Sequence, residues 1–118
     1  MTVDSRQFRR LALGFEGAVE KAHMGHPDFR AANGKIFAAL NAEGTGGALM
    51  LSPEQQADVI ADHPEAFAPA AGAWGRSGST VVKLAAVDTE TLGEAMTLAW
   101  QRAVASRATR SRRPSVRR

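Results

Sequence analysis

His23, His26 and Asp28 are the side chains whose types and proximity best suit a divalent metal. A strand followed by a turn could bring two imidazoles together, but catalytic zinc takes three protein ligands at fixed geometry. The helical His-Glu-x-x-His pattern is missing and the chain has no cysteine, so His23 is expected on a strand and His26 on a turn beside Pro27. Gly75-Arg76-Ser77-Gly78-Ser79 superficially resembles a serine-nucleophile turn. However, Gly78 comes one place too early, and the next element is a strand where the nucleophile turn needs a helix. The loop Glu43-Gly44-Thr45-Gly46-Gly47 also leads into a strand and lacks a following Lys-Ser/Thr pair. It therefore offers neither the amides nor the helix dipole that a phosphate cradle needs. Glu54, Asp58, Asp62 and Glu65 make an acidic helix face, and nothing sets one carboxyl in an apolar pocket as general acid chemistry requires. No catalytic residue, metal or cofactor is expected, and the protein is read as a non-enzyme.

Binding is the chemistry that remains. Lys21, Arg30, Lys35, Arg76 and Lys83 fall on predicted strands and loops, while acids concentrate in the predicted helices. Strand alternation places Ile36, Ala38 and Leu40 on one side, with Leu49, Leu51, Val82 and Leu84 joining them under helices. The other side then carries Lys35, Phe37, Ala39, Met50, Val81 and Lys83. Basic and aromatic side chains interleaved on a sheet suit single-stranded nucleic acid, with charge for phosphate and rings for stacking. The same surface suits an apolar peptide or a second copy, and Trp74 in a nearby loop could anchor either. The alternative reading has helices on both faces, Phe37 in the core and Trp74 tucked over the end of the sheet.

Short-range signals supply the elements that position these residues. Asp4, with Gln7 as its capping partner, opens a helix whose apolar stripe is Phe8, Leu11, Ala12 and Phe15, and Gly14 and Gly17 stop it. Val19–His23 and Asp28–Ala31 read as strands around a Gly25–Pro27 turn. Asn33-Gly34 predicts a tight type I′ hairpin into a strand over Lys35–Leu40, followed by one over Ala48–Leu51. Ser52-Pro53-Glu54-Gln55 opens a second helix with Ala57, Ile60 and Ala61 inward, ending before Pro64. Residues 65–72 read as a short helical turn and then a Pro- and Ala-rich edge segment, 74–78 as a loop, and Thr80–Leu84 as a strand. A last helix capped by Asp88 or Thr89 carries Leu92, Ala95, Met96, Ala99, Trp100, Ala103 and Val104. The predicted class is α+β: one antiparallel sheet of about five strands and three helices, in the order α-β(3-4)-α-β(1-2)-α.

With the elements placed, the chain resembles the MmcQ/YjbR family of small bacterial proteins. The likeness rests on Met24-Gly-His-Pro-Asp-Phe-Arg30, Gly34-Lys-Ile-Phe-Ala-Ala-Leu40, Leu51-Ser-Pro-Glu54, Trp74-Gly75, Thr80-Val81-Val82-Lys83-Leu84 and Leu98-Ala99-Trp100. It implies a fold like that of secretion chaperones. Members are often labelled DNA-binding, and the family supplies no well-defined catalytic residues.

Charge divides the chain in two. Of 118 residues, the last twelve hold six arginines (107, 110, 112, 113, 117, 118) and no acid, whereas residues 1–106 hold nine basic and twelve acidic residues. The chain is thus read as a domain over 1–106 and a disordered arginine-rich tail over 107–118. Arg110, Arg112 and Arg113 are candidate phosphate contacts, giving weak, salt-sensitive binding. A single domain of this size buries a core without disulfides. The absence of a signal peptide or membrane-length apolar run points to the cytoplasm, and the Ala- and Arg-rich usage points to a GC-rich bacterial genome. The expected function is a binding domain for nucleic acid, through the sheet and tail, as a monomer or weak homodimer. The alternative is a protein- or peptide-interaction module of chaperone-like character.

Overall fold

The computed structural model describes residues 3–23 and 25–112, and for His23 and residues 107–112 its description is limited to the backbone. Helix α1 (Ser5–Leu13) starts at a reciprocal capping box between Asp4 and Gln7, with hydrogen bonds of 2.8 and 3.0 Å, and ends at Gly14. Strands β1 (Val19–His23), β2 (His26–Arg30), β3 (Ile36–Leu40) and β4 (Gly46–Met50) follow as a meander. Then come α2 (Pro53–Asp62), the short β5 (Phe67–Pro69), α3 (Gly72–Arg76), β6 (Ser79–Lys83), a 3-10 turn at Leu84–Ala86 and α4 (Thr89–Arg112). The six strands form one antiparallel sheet in the order β1-β2-β3-β4-β6-β5.

The α+β class and single antiparallel sheet are as the sequence predicts, and the Pro- and Ala-rich edge segment supplies the short edge strand β5. One detail differs. Residues 72–76, expected to be loop from Trp74, form one short helix because Gly75 lets the chain pack tightly against the backbone at Ala70. Helix α4 continues through Arg112, six residues past the expected domain end at 106. Residues 113–118 of the expected tail, including Arg113, lie outside the described residues.

The core lies on one side of the sheet. One cross-strand row carries Phe29, Ala38, Leu49 and Thr80, and the next Leu40, Gly47, Val82 and Phe67, all but Gly47 buried. α1 lays Phe8 over these rows against Phe29, ring centroids 5.9 Å apart. Gly47 makes room for that ring: a Cβ there would lie 3.0 Å from Phe8 and 2.5 Å from the Ala39 carbonyl oxygen. α4 adds Leu92, Ala95, Met96, Ala99 and Ala103. Trp100 is half-buried and stacks on Phe15 at 5.3 Å, whereas Val104, expected in the same stripe, is exposed. α2 packs Val59 and Ile60 against the core; Ala57 and Ala61, expected inward, are exposed. Arg9 on α1 reaches Glu20 on β1 at 2.8 Å, and this contact holds the guanidinium above its ordinary pKa. At the start of α4, Asp88 accepts the Thr91 N–H at 2.7 Å, which lowers the Asp88 pKa as expected for a carboxylate capping a helix.

The largest departure from the sequence reading sits at β3. Strand β2 pairs Phe29 with Ala38 but Arg30 with Ile36, so β3 carries one extra residue, Phe37, at a β-bulge. The bulge breaks the period-2 alternation. Phe37, outward by strict alternation and core in the alternative reading, is fully buried beside Ala38 and meets the Phe15 ring edge-on at 5.7 Å. Ile36, expected beneath the helices, is 40% exposed. The turn before it differs as well. The Gly34 N–H donates to the Ala31 carbonyl at 2.8 Å and the Ala31 N–H to the Lys35 carbonyl at 2.9 Å, so three residues close the hairpin with Gly34 at φ 87°. This is the longer glycine-bulge connection in place of a two-residue type I′ turn. It leaves Asn33 free to accept from the Lys35 N–H and donate to the Ala103 carbonyl on α4, both at 2.9 Å.

Candidate docking surface

On the other side of the sheet, among the described residues, strands and loops and no helix line the surface. Its central row runs Lys21–Asp28–Ala39–Ala48–Val81–Ala68 across all six strands, each residue the register partner of the next. Lys21, Val81 and Ala68 are exposed and Ala39 and Ala48 half-buried. Because the middle of the row is alanine, the face dips there into a depression of about 490 Å³. Its floor is Ala39, Ala48, Gly46 and Val81, and its rim includes His26, Asn41 and Lys83. Asp28 is the buried member of the row, and Arg30 binds both its oxygens, at 2.9 and 3.3 Å. That fork of charge-assisted bonds satisfies the carboxylate and raises the Arg30 pKa above its ordinary value.

The predicted binding residues do not converge on one site. Lys21, Arg30 and Lys83 share the open face, with Arg30 occupied by Asp28. Lys35 lies at the end of the sheet, in a smaller notch with Ile36, Met50, Arg102, Ala103 and Ser106. Met50, expected on the outer face, thus borders α4. Trp74, 74% exposed, and Arg76, also exposed, ride on α3 near the end of β6 opposite Lys83. Phe37 belongs to the core, so the open face has lost the ring that the sequence placed on it. Arg110 and Arg112 continue α4, and their side chains lie outside the described residues.

For the metal reading, His26 and Asp28 do share the outer face, two residues apart on β2, but the Asp28 oxygens are taken by Arg30. The His23 side chain lies outside the described residues. Among the described residues no group of three or more His, Cys, Asp or Glu is arranged to hold a metal, and no helix is long and apolar enough to cross a membrane.

Sequence reasoning missed two features: Arg102 beside Lys35, and the alanine-floored depression. Ala39 and Ala48 are small residues at outward positions of central strands, where larger side chains normally pack. That signal was present, but only the register makes them neighbours.

The crystal structure of Deinococcus radiodurans protein DR2400, which carries a DUF419 domain, superposes with a TM-score of 0.69 at 18% identity, over 85% of this chain and 77% of that one. At that identity the likeness speaks for the fold alone. No curated protein matches the chain in sequence. The YjbR family model matches residues 13–102, from the end of α1 through most of α4 and across the whole sheet, and the chain belongs to the YjbR family.

Proposed function

We propose that this is a non-catalytic binding domain that docks a protein partner on the uncovered face of its sheet. The supporting observation is the Ala39–Ala48–Val81 row: apolar, recessed, in the middle of a paired sheet, with the helices on the opposite side. An uncovered apolar recess is unusual on a surface that has only water to meet. Partner contact is read by photo-crosslinking in cells, with the full chain carrying a photoreactive side chain at position 81 or, as control, at Asp58 on the exposed acidic side of α2. Discrete adducts from position 81 that are missing from position 58 are the expected outcome. Equal patterns from both positions, or none from position 81, overturn the proposal.

A second reading, nucleic-acid binding, is favoured by a different observation. Arg102 and Lys35 line one notch at the end of the sheet, and no acid follows Glu94 in a sequence whose last twelve residues hold six arginines. Such contacts are sequence-blind and release counterions. Binding of the full chain to labelled DNA is therefore expected to weaken steeply with salt and to be nearly abolished by ending the chain at residue 106. This cut removes no described buried side chain, since the last one is Ala103. Fluorescence anisotropy reads the difference. Affinity retained by the shortened chain would move the phosphate contacts into the folded domain.

A further inference from the structure

The chemistry of the open face also selects its guest, given the reading of that face as a docking surface. We infer that the occupant is an acidic, apolar protein segment: one bulky aliphatic or aromatic side chain seated between Ala39, Ala48 and Val81, with a neighbouring carboxylate on Lys83. Three observations carry this.

The first is shape. About 490 Å³ falls within the range of clefts that enclose a guest, and its floor is alanine, glycine and valine, which offers contact area but few groups that could orient a polar ligand. The strands beneath it are paired on both sides, so a guest cannot gain main-chain ladder bonds there and must be held by its side chains.

The second is charge. The carboxylate of the central row, Asp28, is committed to Arg30 through both oxygens. Among the described residues no Asp or Glu lines the main hollow, whereas Lys83 does and makes no salt bridge, and neither does Lys21 at the far end of the row. Glu65 stands on the separate, shallower shelf beside Val81 and Ala68. The charge bordering the main hollow is therefore positive. An ammonium beside an apolar floor selects a carboxylate carried next to a bulky side chain and repels a lysine or arginine in the same place.

The third is the placement of the rings. Phe8, Phe29 and Phe37 are buried on the core side, and Trp74 stands on α3. The ring that lines the hollow is the His26 imidazole at its rim, and its floor is aliphatic, so successive nucleobases find no series of platforms among the described residues, and stacking is what holds single strands to a sheet. Lysines beside an aliphatic floor favour a protein guest.

The test uses the full chain and isothermal titration with four probes. These are a blocked twelve-residue peptide of leucine and phenylalanine interspersed with glutamate, the same peptide with lysine for glutamate, the same with alanine for the bulky residues, and an oligothymidine. The alanine peptide keeps the acids and so reports attraction to the arginine-rich end alone. The acidic apolar peptide is expected to bind at least about tenfold more tightly than the lysine and alanine versions. Ala48→Phe, which fills the hollow from an outward position, is expected to weaken it about tenfold and Lys83→Glu about threefold or more. Thermal unfolding of both variants verifies the fold, and Val81→Glu, which places a repelling charge on the same floor, replaces Ala48→Phe should that variant fail to fold. Failure of the acidic peptide to bind, or lysine and acidic peptides of equal affinity that both depend on Ala48, overturns the inference about chemistry while the docking face stands. Binding unaffected by Ala48→Phe and Val81→Glu overturns both. An oligothymidine that displaces the peptide and loses its own affinity in Ala48→Phe makes nucleic acid the occupant and overturns the inference.

Discussion

Phe37→Ala is expected to destabilise the domain by about 3–5 kcal/mol, the range for emptying a phenylalanine site in a packed core. Phe37→Glu is expected to leave little folded protein. Phe37 is fully buried in the middle of the sheet, edge-on to Phe15, which itself stacks on Trp100 of α4. Removing the ring opens a cavity between the sheet and two helices, and Phe15 cannot refill it without leaving Trp100. A carboxylate in the same place has no described cation to meet and carries the full cost of an unpaired buried charge. Domains of this size have roughly 5–15 kcal/mol in hand, so the alanine variant is expected to be marginal and the glutamate variant to unfold. Urea titration followed by circular dichroism measures both. An outward Phe37, as strict alternation would have it, predicts the opposite: two folded variants within about 0.5 kcal/mol of the parent. The bulge in β3 is therefore decided by one unfolding curve.

That residue also marks where the sequence stops being legible. Signals confined to a few neighbours hold at Asp4 with Gln7, at Ser52 with Pro53 and Gln55, and at Asp88, because a cap is satisfied within four residues of itself. Leu49, Leu51, Val82 and Leu84 lie inward as alternation requires. The reading fails where a distant contact overrides a local rule. Asn33-Gly34 is the dipeptide of a two-residue turn, yet the amide of Asn33 reaches 70 residues along the chain to Ala103, and the longer loop permits that reach. Phe37 follows the bulge and not the period, because its ring packs on Phe15, just past α1, which in turn stacks on Trp100 of α4. The candidate face was legible in half. Val81, Ala39 and Lys83 point outward as predicted, but the hollow exists because Ala39, Ala48 and Val81 are register partners across three strands. Cross-strand neighbours are a property of pairing, which no single stretch of sequence contains.

A close backbone approach bears on how Trp74 is displayed, and Gly78→Ala is expected to destabilise by about 3 kcal/mol or more. Gly78 has φ +112°, and a Cβ built on it would stand 1.9 Å from the Leu51 carbonyl oxygen. The obstacle is main chain at the β4–α2 junction, so no rotamer change relieves it. The conformation alone disfavours an L side chain by about 1–2 kcal/mol, and the collision adds to that. Gly34→Ala separates the two costs: its φ is +87°, but nothing lies within 4 Å of the added methyl, so only the conformational part of about 1–2 kcal/mol is expected. The difference between the two variants in urea titration is the cost of the approach, and equal losses would mean that the junction relaxes freely. It is expected to be stiff. The Leu51 N–H and the Thr80 hydroxyl both donate to the Gly78 carbonyl, at 3.3 and 2.8 Å, and the Gln56 amide bridges the carbonyls of Gly75 and Ser79 at 3.0 Å each. This network ties β4, α2 and β6 to the short helix on which Trp74 stands in solvent. The exposed indole is thus held by a rigid base and not by a loop, so loosening Gly78 is expected to blur the tryptophan environment before the rest of the sheet unfolds.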